Sequence, residues 1–466
     1  MKLIYNVKDR PKFGQVVIFA IQQLLAIMAA TLVVPVIVSG TTGKPMSSAA
    51  ALCGAGVGTI VYLLFTKFKS PVFLGSSFAF ISPMICAFAG GVSMQLGYLG
   101  LIIGAVLAGL VYVIIALIVK FAGVKWLNKL MPPVVIGPTV AIIGLSLSTN
   151  AIGDLQKGGY SVGGVSTANV YLSILCGIIT LFVTILCSTY GKKMAKLIPF
   201  IIGILSGYAV AAVFTAIGMA TNNDALRLID FSHFTNLVNG GFKLDTIISV
   251  QTFRDFTFLK AFDGFGELNA QYILTLVFAY MPVAFVVFAE HIADHKNISS
   301  IIETDLLEDP GLSRTLLGDG VGSMAGAFFG GCPNTTYGES VGCVAITKNA
   351  SIVTIFAAAV GAILVSFFAP FVAFVNSIPS CVMGGVCIAL YGFIAVSGLK
   401  MIQSVDLGKD RNLFVVSTIL VCGIGGLAIS FNVKAGGISS TINITAIAVA
   451  LILGIIVNLM LNKAKD

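Results

Sequence analysis

The chain has 466 residues, of which 57% are hydrophobic and 10% are charged, and its formal net charge is +8. Soluble domains carry about 25% charged residues, so this composition excludes a soluble globular protein and predicts a membrane protein. The nine cysteines include no CxxC pair and no cysteine–histidine cluster, which predicts neither a disulfide framework nor a metal site. We therefore expect a lipid bilayer around the chain, and no nucleic acid, metal or cofactor as a partner.

Apolar runs predict an all-α polytopic membrane protein with fourteen transmembrane segments. A spanning helix needs about 20 mainly apolar residues. Runs near this length lie at 15–38, 46–66, 98–119, 131–149, 168–188, 197–218, 271–291, 351–375, 379–398, 411–430 and 441–461. Two further stretches, 71–90 and 312–349, are apolar but interrupted by glycine, proline and polar residues. Counting the first as one span and the second as two gives fourteen.

The basic residues agree with fourteen spans. If the amino terminus is cytoplasmic and the spans alternate, 20 of the 27 lysines and arginines fall on the cytoplasmic side. Four of the other seven lie in one long outer segment, where the positive-inside bias has little weight. Thirteen or fifteen spans would spoil this sorting. We therefore expect a multi-pass protein of the cytoplasmic membrane with both termini in the cytoplasm.

The long outer segment, 221–270, divides the chain into a first repeat, 1–220, and a second repeat, 271–466. Each repeat has seven spans, and an odd number makes the two inverted in the membrane. The third span is broken at 75–83 and the tenth at 330–342, while Pro132 and Pro379 open the fifth and twelfth spans. Broken spans in corresponding positions of two repeats indicate where a transporter binds its substrate.

Three carboxylates lie inside apolar stretches: Glu290, Asp319 and Glu339, with Asp294 at a boundary. A charge at the bilayer centre costs at least about 2.5–3.5 kcal/mol on insertion scales, so each carboxylate needs a reason to be there. The reason is either contact with a substrate or proton, or a structural hydrogen bond between helices. For Asp319 the sequence favours neither alternative. Glu290 reaches mid-membrane only if its helix continues through Ala293.

Two histidines accompany Glu290 and Asp294, which are four residues apart and share a helix face. His291 and His295 share the adjacent face, and a histidine near a carboxylate can relay a proton near neutral pH. The polar run after Asp294 instead favours a position at the cytoplasmic interface for His295. For His291 the sequence favours neither the proton relay nor the interface. In the broken segments, Phe78, Phe80 and Tyr337 could present flat faces to a planar ligand, although packing is the ordinary role of such rings.

Four motifs together resemble those of the nucleobase–ascorbate transporter family (nucleobase:cation symporter family 2), and in particular its bacterial uracil permease branch. The motifs are Phe288–Ile292, Gly318–Gly320, Pro333–Glu339 and Ala345–Lys348. The resemblance extends over nearly all of the chain. One departure is that this branch commonly has a histidine four residues after the eighth-span glutamate, where this chain has Asp294. We therefore expect the proton path near Glu290 to differ from that of this branch.

The resemblance implies a fold with a core domain, from spans 1–4 and 8–11, and a gate domain, from spans 5–7 and 12–14. Short extended strands in spans 3 and 10 are implied to meet beside the substrate. It also implies the following roles: Glu290 and Glu339 bind uracil, the backbones of Phe78 and Gly338 complete its polar edge, Tyr337 packs beside it, Tyr391 approaches from the gate, and Asp319 is the acid of the ninth span.

These residues lead us to expect a proton-coupled uracil importer that works by alternating access and is not an enzyme. Glu339 begins a half-helix whose positive end favours the ionised form, so Glu290 is the better proton carrier, with Asp294, His291 and Asp319 as further candidates for proton coupling. Sodium in place of the proton and assembly as a homodimer stay open. The nearest rivals are a symporter of the same fold for xanthine or uric acid and an anion transporter of sulfate-permease-like architecture.

Overall fold

The computed structural model describes residues 3–123, 126, 130–162, 165–192, 194–239, 241, 244–435 and 438–461. Eight helices in these residues are long and apolar enough to cross a membrane. They are Phe13–Thr42, Ser48–Phe65, Met94–Ala122, Pro133–Leu155 (with a break at Leu147), Val170–Tyr190, Pro199–Ala220, Ala270–Ile302 and Ser380–Ile402. The prediction of a mainly helical, multi-pass membrane protein is thereby confirmed.

In the described residues, nine helices of different lengths precede the predicted outer segment. In chain order the helices and strands are α1 (Phe13–Thr42), α2 (Ser48–Phe65), β1 (Leu74–Ser76), α3 (Ile81–Ala87), α4 (Met94–Ala122), α5 (Pro133–Ser146), α6 (Ser148–Leu155), β2 (Ser161–Val162), β3 (Val165–Ser166), α7 (Val170–Tyr190), α8 (Met194–Leu197) and α9 (Pro199–Ala220), as far as the described residues go. The stretch 71–90 is not a full helix. It contains β1, a 3-10 turn at Phe78–Phe80, and the two turns of α3.

The remaining elements begin within the predicted outer segment, which contains short helices. They are α10 (Ser232–Val238), α11 (Leu244–Ile247), α12 (Val250–Arg254), α13 (Thr257–Ala261), α14 (Ala270–Ile302), α15 (Leu312–Gly330), β4 (Asn334–Thr336), α16 (Gly338–Thr347), α17 (Ile352–Ser366), α18 (Ala369–Ser377), α19 (Ser380–Ile402), α20 (Asp410–Ile424), β5 (Ile429–Ala435), β6 (Ile438–Ile444) and α21 (Ala446–Met460).

Three predicted span boundaries are wrong. The run 351–375 is divided into α17 and α18, because Pro370, in the first turn of α18, has no backbone N–H with which a continuous helix could bond to the preceding turn. The run 411–430 stops being helical at Ile424, and Gly426 follows with a φ of 73°. The run 441–461 begins as the strand β6, and α21 starts only after Thr445, whose hydroxyl caps it.

Strands β1 and β4 form a two-stranded antiparallel pair inside the protein. Leu74 lies opposite Thr336, Gly75 opposite Thr335 and Ser76 opposite Asn334. Both strands are buried, and their pairing satisfies backbone groups that lipid could not. The expectation that extended strands in the two broken segments meet is therefore confirmed.

Glycines allow helices α2 and α15 to touch at this strand pair. A methyl group at Gly54 would lie 2.4 Å from the carbonyl oxygen of Gly326, and one at Gly58 would lie 2.6 Å from that of Gly322. Each helix thus carries two glycines four residues apart, the spacing that permits close backbone approach in membrane helix pairs. Asn334 of β4 sits against this crossing and donates from Nδ2 to the carbonyl of Gly54 at 3.1 Å. The crossing fixes the position of β4, and hence of the segment that follows it.

Candidate functional site

A cavity of about 330 Å³ opens where α16 begins. Four of the residues singled out in the sequence line it: Glu290, Asp294, Gly338 and Glu339. The sequence did not identify its other lining residues, among them Ser188, Lys196, Asn297, Phe393 and Ser397. They come from α7, α8, α14 and α19, segments whose approach to α16 no local pattern in the sequence predicts.

Helix α16 presents its amino terminus at the cavity. It starts directly after β4 and Tyr337, and no side chain caps it. The first backbone N–H groups of a helix have no partner within the helix, and together with the helix dipole they favour an acceptor or an anion. Glu339 lies in this first turn. The expectation that Glu339 begins a half-helix is confirmed.

Helix α14 supplies the opposing carboxylates. It continues without interruption to Ile302, so the condition placed on Glu290, that its helix extend through Ala293, is met. One turn further along, the Asp294 carboxylate accepts a hydrogen bond from the Thr336 hydroxyl at 2.9 Å. Its other oxygen lies 3.7 Å from the position a methyl group would take at Gly338. Asp294 therefore joins the end of β4 to the cavity wall.

His291 and Asp319 lie on the other side of α14 and do not line the cavity. Nδ1 of His291 is 2.7 Å from Oδ2 of Asp319, and its Nε2 is 3.0 Å from the Thr315 hydroxyl. All three side chains are buried. The polar run after Asp294 pointed to the interface for His295, but this side chain is fully buried and its ring stacks on that of His291. The sequence signal that could have found this is the four-residue spacing of the two histidines.

Four aromatic residues were candidates, and Phe80 stacks on Tyr280 instead of lining the cavity. The other three, Tyr337, Phe78 and Tyr391, lie at or next to the strand pair. Tyr337 donates from its hydroxyl to the carbonyl of Ser76 at 2.7 Å, and its ring lies against Gly75, where a methyl group would be 2.3 Å away. Phe78 meets Tyr391 edge to face, with ring centroids 5.8 Å apart. In this conformation none of the three lines the cavity.

Ser340 is a positioning residue that sequence reasoning missed. Its hydroxyl oxygen accepts from the side-chain amide of Gln23 on α1 at 2.5 Å and from the backbone N–H of Phe73 at 2.9 Å. It therefore ties α16 to both α1 and the segment entering β1. A polar glutamine within the apolar run of α1 was the available signal.

The cavity offers acceptors on one side and donors on the other. Carboxylates accept hydrogen bonds from N–H groups of a ligand, and the free N–H groups at a helix start donate to its carbonyls. This arrangement suits a compact polar molecule that carries both kinds of group.

The Xan_ur_permease model, described as "Permease family", matches residues 14–432. Among similar curated proteins, the uracil permease of Bacillus caldolyticus is 37% identical over 99% of this chain and 95% of its own length. That of Bacillus subtilis (strain 168) is 36% identical over 100% and 97%, and that of Escherichia coli (strain K12) is 35% identical over 91% and 88%.

Two solved structures of anion transporters have a similar fold. The transmembrane domain of a cyanobacterium bicarbonate transporter, BicA, matches with a TM-score of 0.60 at 14% identity, covering 97% of this chain and 99% of that one. Murine Slc26a9 matches with a TM-score of 0.61 at 11% identity, over 98% and 69%. These likenesses concern the fold alone. The family match and the close relatives show that this chain belongs to the permease family that includes the bacterial uracil permeases, as the four motifs predicted.

Proposed function

We propose that this protein imports uracil together with a proton across the cytoplasmic membrane by alternating access. The observation that carries the proposal is the cavity at the start of α16, which Glu290 and Glu339 both line beside the first turn of the half-helix. Uracil is neutral and planar, with two N–H donors and two carbonyl acceptors. A site that satisfies each of these groups rejects analogues that lack one far better than an apolar slot does.

The proposed architecture is fourteen spans in two inverted repeats, 1–220 and 271–466, joined by an outer connection at 221–270. The antiparallel pairing of β1, from the first repeat, with β4, from the second, supports this inverted relation. A core domain of spans 1–4 and 8–11 would carry both strands. A gate domain of spans 5–7 and 12–14 would carry Phe393 and Ser397 in α19, which close the cavity on its other side.

In the proposed site, Glu339 and Glu290 accept hydrogen bonds from the base and the backbone of Gly338 donates one. Phe78, Tyr337 and Tyr391 act around the strand pair, and Phe78 and Tyr391 reach the base in another conformation of the cycle. Glu290 carries the proton, supported by Asp294, His291 and Asp319. Both termini are proposed to be cytoplasmic.

The fold neighbours raise the question of an anion substrate. Among the described residues that line the cavity, Lys196 is the one cation, against the carboxylates of Glu290, Asp294 and Glu339. An excess of negative groups in a cleft opposes anion binding. The cavity chemistry therefore favours a neutral base over bicarbonate or sulfate.

Counterflow in liposomes tests the proposal. Purified protein is reconstituted into vesicles loaded with unlabelled uracil, and entry of labelled uracil is followed with unlabelled uracil, thymine, xanthine, uric acid or bicarbonate outside. We expect strong competition by uracil and weak competition by the purines and bicarbonate. Competition by xanthine as strong as that by uracil would indicate that the substrate is a purine and not a pyrimidine. The absence of any uracil counterflow would overturn the proposal.

A further inference from the structure

A second polar cluster lies behind α14, on the side that does not line the cavity. It consists of Tyr62 on α2, Ser70 after α2, His291 and His295 on α14, and Asp319 on α15, and the exposure of each is 0%. Such a cluster is costly unless its members bond to one another. His295 is bonded at both ring nitrogens: Nδ1 is 2.8 Å from the carbonyl of His291, and Nε2 is 2.7 Å from the Tyr62 hydroxyl.

The carbonyl partner fixes the tautomer of His295. A carbonyl oxygen only accepts, so Nδ1 of His295 carries a hydrogen, and in the neutral ring Nε2 is the acceptor. Tyr62 can therefore donate to Nε2 of a neutral His295. Its hydroxyl is also 2.6 Å from that of Ser70, in the geometry of a bond that Tyr62 donates to Ser70. When Tyr62 donates to His295 instead, the Ser70 hydroxyl has to turn and donate to Tyr62.

The same three groups can also hold His295 in its protonated form. Nε2–H then donates to the Tyr62 oxygen, and the Tyr62 hydroxyl turns to donate to Ser70. Release of this proton breaks the Nε2–H bond and forms a bond from that hydrogen to the Tyr62 oxygen. The original Tyr62 hydrogen passes to Ser70, and the Ser70 hydrogen passes to water, so one proton leaves and His295 returns to neutral.

The outer member of the hydrogen-bonded chain, Ser70, is itself buried. It directly follows Lys69, whose side chain is 39% exposed and which marks, with Lys67, the proposed cytoplasmic side. At the inner end, the rings of His291 and His295 stack with centroids 4.0 Å apart and an interplanar angle of 29°. A positive charge on one ring therefore opposes a positive charge on the other.

His291 is in turn bonded to Asp319. The Thr315 hydroxyl points to the carbonyl of Leu312 at 3.1 Å, so Nε2 of His291 donates to Thr315. The space between Nδ1 and Asp319 then holds one proton, shared by the pair. When the pair holds its proton as an imidazolium and a carboxylate, the positive charge on His291 disfavours a proton on His295. When the pair has lost that proton, His295 accepts one more easily.

We propose that His295, Tyr62 and Ser70 form a proton-exchange branch behind the substrate cavity, coupled by charge to the Asp319–His291 pair and directed toward the cytoplasmic side. This deepens the proposed function and rests on it, since it assumes proton-coupled uptake. The other titratable groups around the branch are Asp294 on α14 and Asp319 on α15, both within electrostatic range of Tyr62, with Glu290 and Glu339 facing the cavity.

The test compares Tyr62→Phe with Tyr280→Phe in liposomes. Tyr280 is also buried, on α14, and its hydroxyl has no hydrogen-bond partner among the described residues, so its loss controls for removal of a buried hydroxyl. Uracil uptake driven by a pH gradient and uracil-dependent entry of protons are measured beside exchange without a gradient. Because a positioned proton-transfer group contributes about 100-fold or more, we expect Tyr62→Phe to lower gradient-driven uptake and proton entry at least about tenfold and to retain exchange. Tyr280→Phe should resemble the wild type in all three.

Proton entry with Tyr62→Phe as fast as in the wild type overturns the branch. A loss of exchange equal to the loss of uptake also overturns it, because it indicates a structural role for Tyr62. Ser70→Ala serves if Tyr62→Phe does not fold, with the same expected direction. Wild-type protein that exchanges uracil without uracil-dependent proton entry refutes the proton coupling of the proposed function itself, a result distinct from failure of the branch.

Discussion

The two broken segments have the same order of backbone elements, but the residues that follow their strands have different surroundings. Each has a three-residue strand followed by a short helix, and the strands pair antiparallel. After β1 the chain continues as Phe78–Phe80 and α3, and its ring contacts lead to Tyr391. After β4 it continues as Gly338 and Glu339, which line the cavity.

Side-chain volume and charge at the first helical residues explain the difference. Phe78 fills the space in front of its helix start with a ring that is 8% exposed. Gly338 leaves that space open, since a methyl group there would meet only an Asp294 oxygen, at 3.7 Å. Glu339 adds an acceptor beside the free N–H groups. The start of α16 is thus open to the cavity, whereas the ring of Phe78 covers the start of the helix after β1.

The strongest test of this comparison is Gly338→Val. A Cβ atom at this position would have no backbone atom within 4 Å, so we expect the variant to fold. The branched side chain should occupy the ligand space and abolish uracil binding. Binding is measured by isothermal titration of the purified protein. As a contrast, Gly54→Ala should fail to fold, because its methyl group would lie 2.4 Å from a backbone oxygen. Wild-type affinity for uracil in Gly338→Val would show that the start of α16 is not part of the binding site.

The second test concerns the charge at this helix start. Glu339→Gln keeps the shape but replaces an ionised acceptor, and the amide must find a partner for its NH₂ group. The loss of a hydrogen bond to a charged group costs about 1.5–3 kcal/mol, or roughly 10- to 150-fold in affinity. Glu308→Gln, which lies outside the lining residues, is the control. Unchanged uracil affinity with correctly folded Glu339→Gln contradicts the assignment.

A third test asks whether the carboxylate across the cavity has a different task. Glu290 lies in the middle of continuous α14, with no helix start beside it, so we expect it to bind and release the proton. A proton driven by 100 mV sustains roughly a 40- to 50-fold substrate gradient. Glu290→Gln should abolish this accumulation, measured as labelled uracil in vesicles with a pH gradient, while part of the exchange persists. If Asp294→Asn uncouples transport and Glu290→Gln does not, the proton site lies one helical turn away.

The smallest effect is expected in the segment after β1. Phe78→Leu removes the edge-to-face contact with Tyr391 and leaves the backbone in place. Such aromatic pairs contribute about 0.5–1.5 kcal/mol, so uptake should change roughly 2- to 13-fold, measured as initial rates of labelled uracil. Tyr391→Leu should have a similar effect, and the double variant should lose little more. A loss as large as that in Gly338→Val would mean that the two segments contribute equally to the ligand surface.

The sequence alone predicted the membrane class, the two broken segments, the half-helix start at Glu339 and the carboxylates that line the cavity. These features depend on local properties: long apolar runs need lipid or a protein interior, proline and glycine interrupt helices, and a carboxylate in an apolar run needs a partner. The motifs also predicted the family correctly.

Other features depended on contacts between distant segments. The pairing of β1 with β4, the glycine crossing of α2 and α15, and the bond from Ser340 to Gln23 join residues that are far apart in the chain. The burial of His295 is of this kind, because Tyr62 and Ser70 become its partners only when the fold brings their side chains within reach of α14. A polar run in sequence shows that a residue needs hydrogen bonds, but packing determines whether water or the protein supplies them.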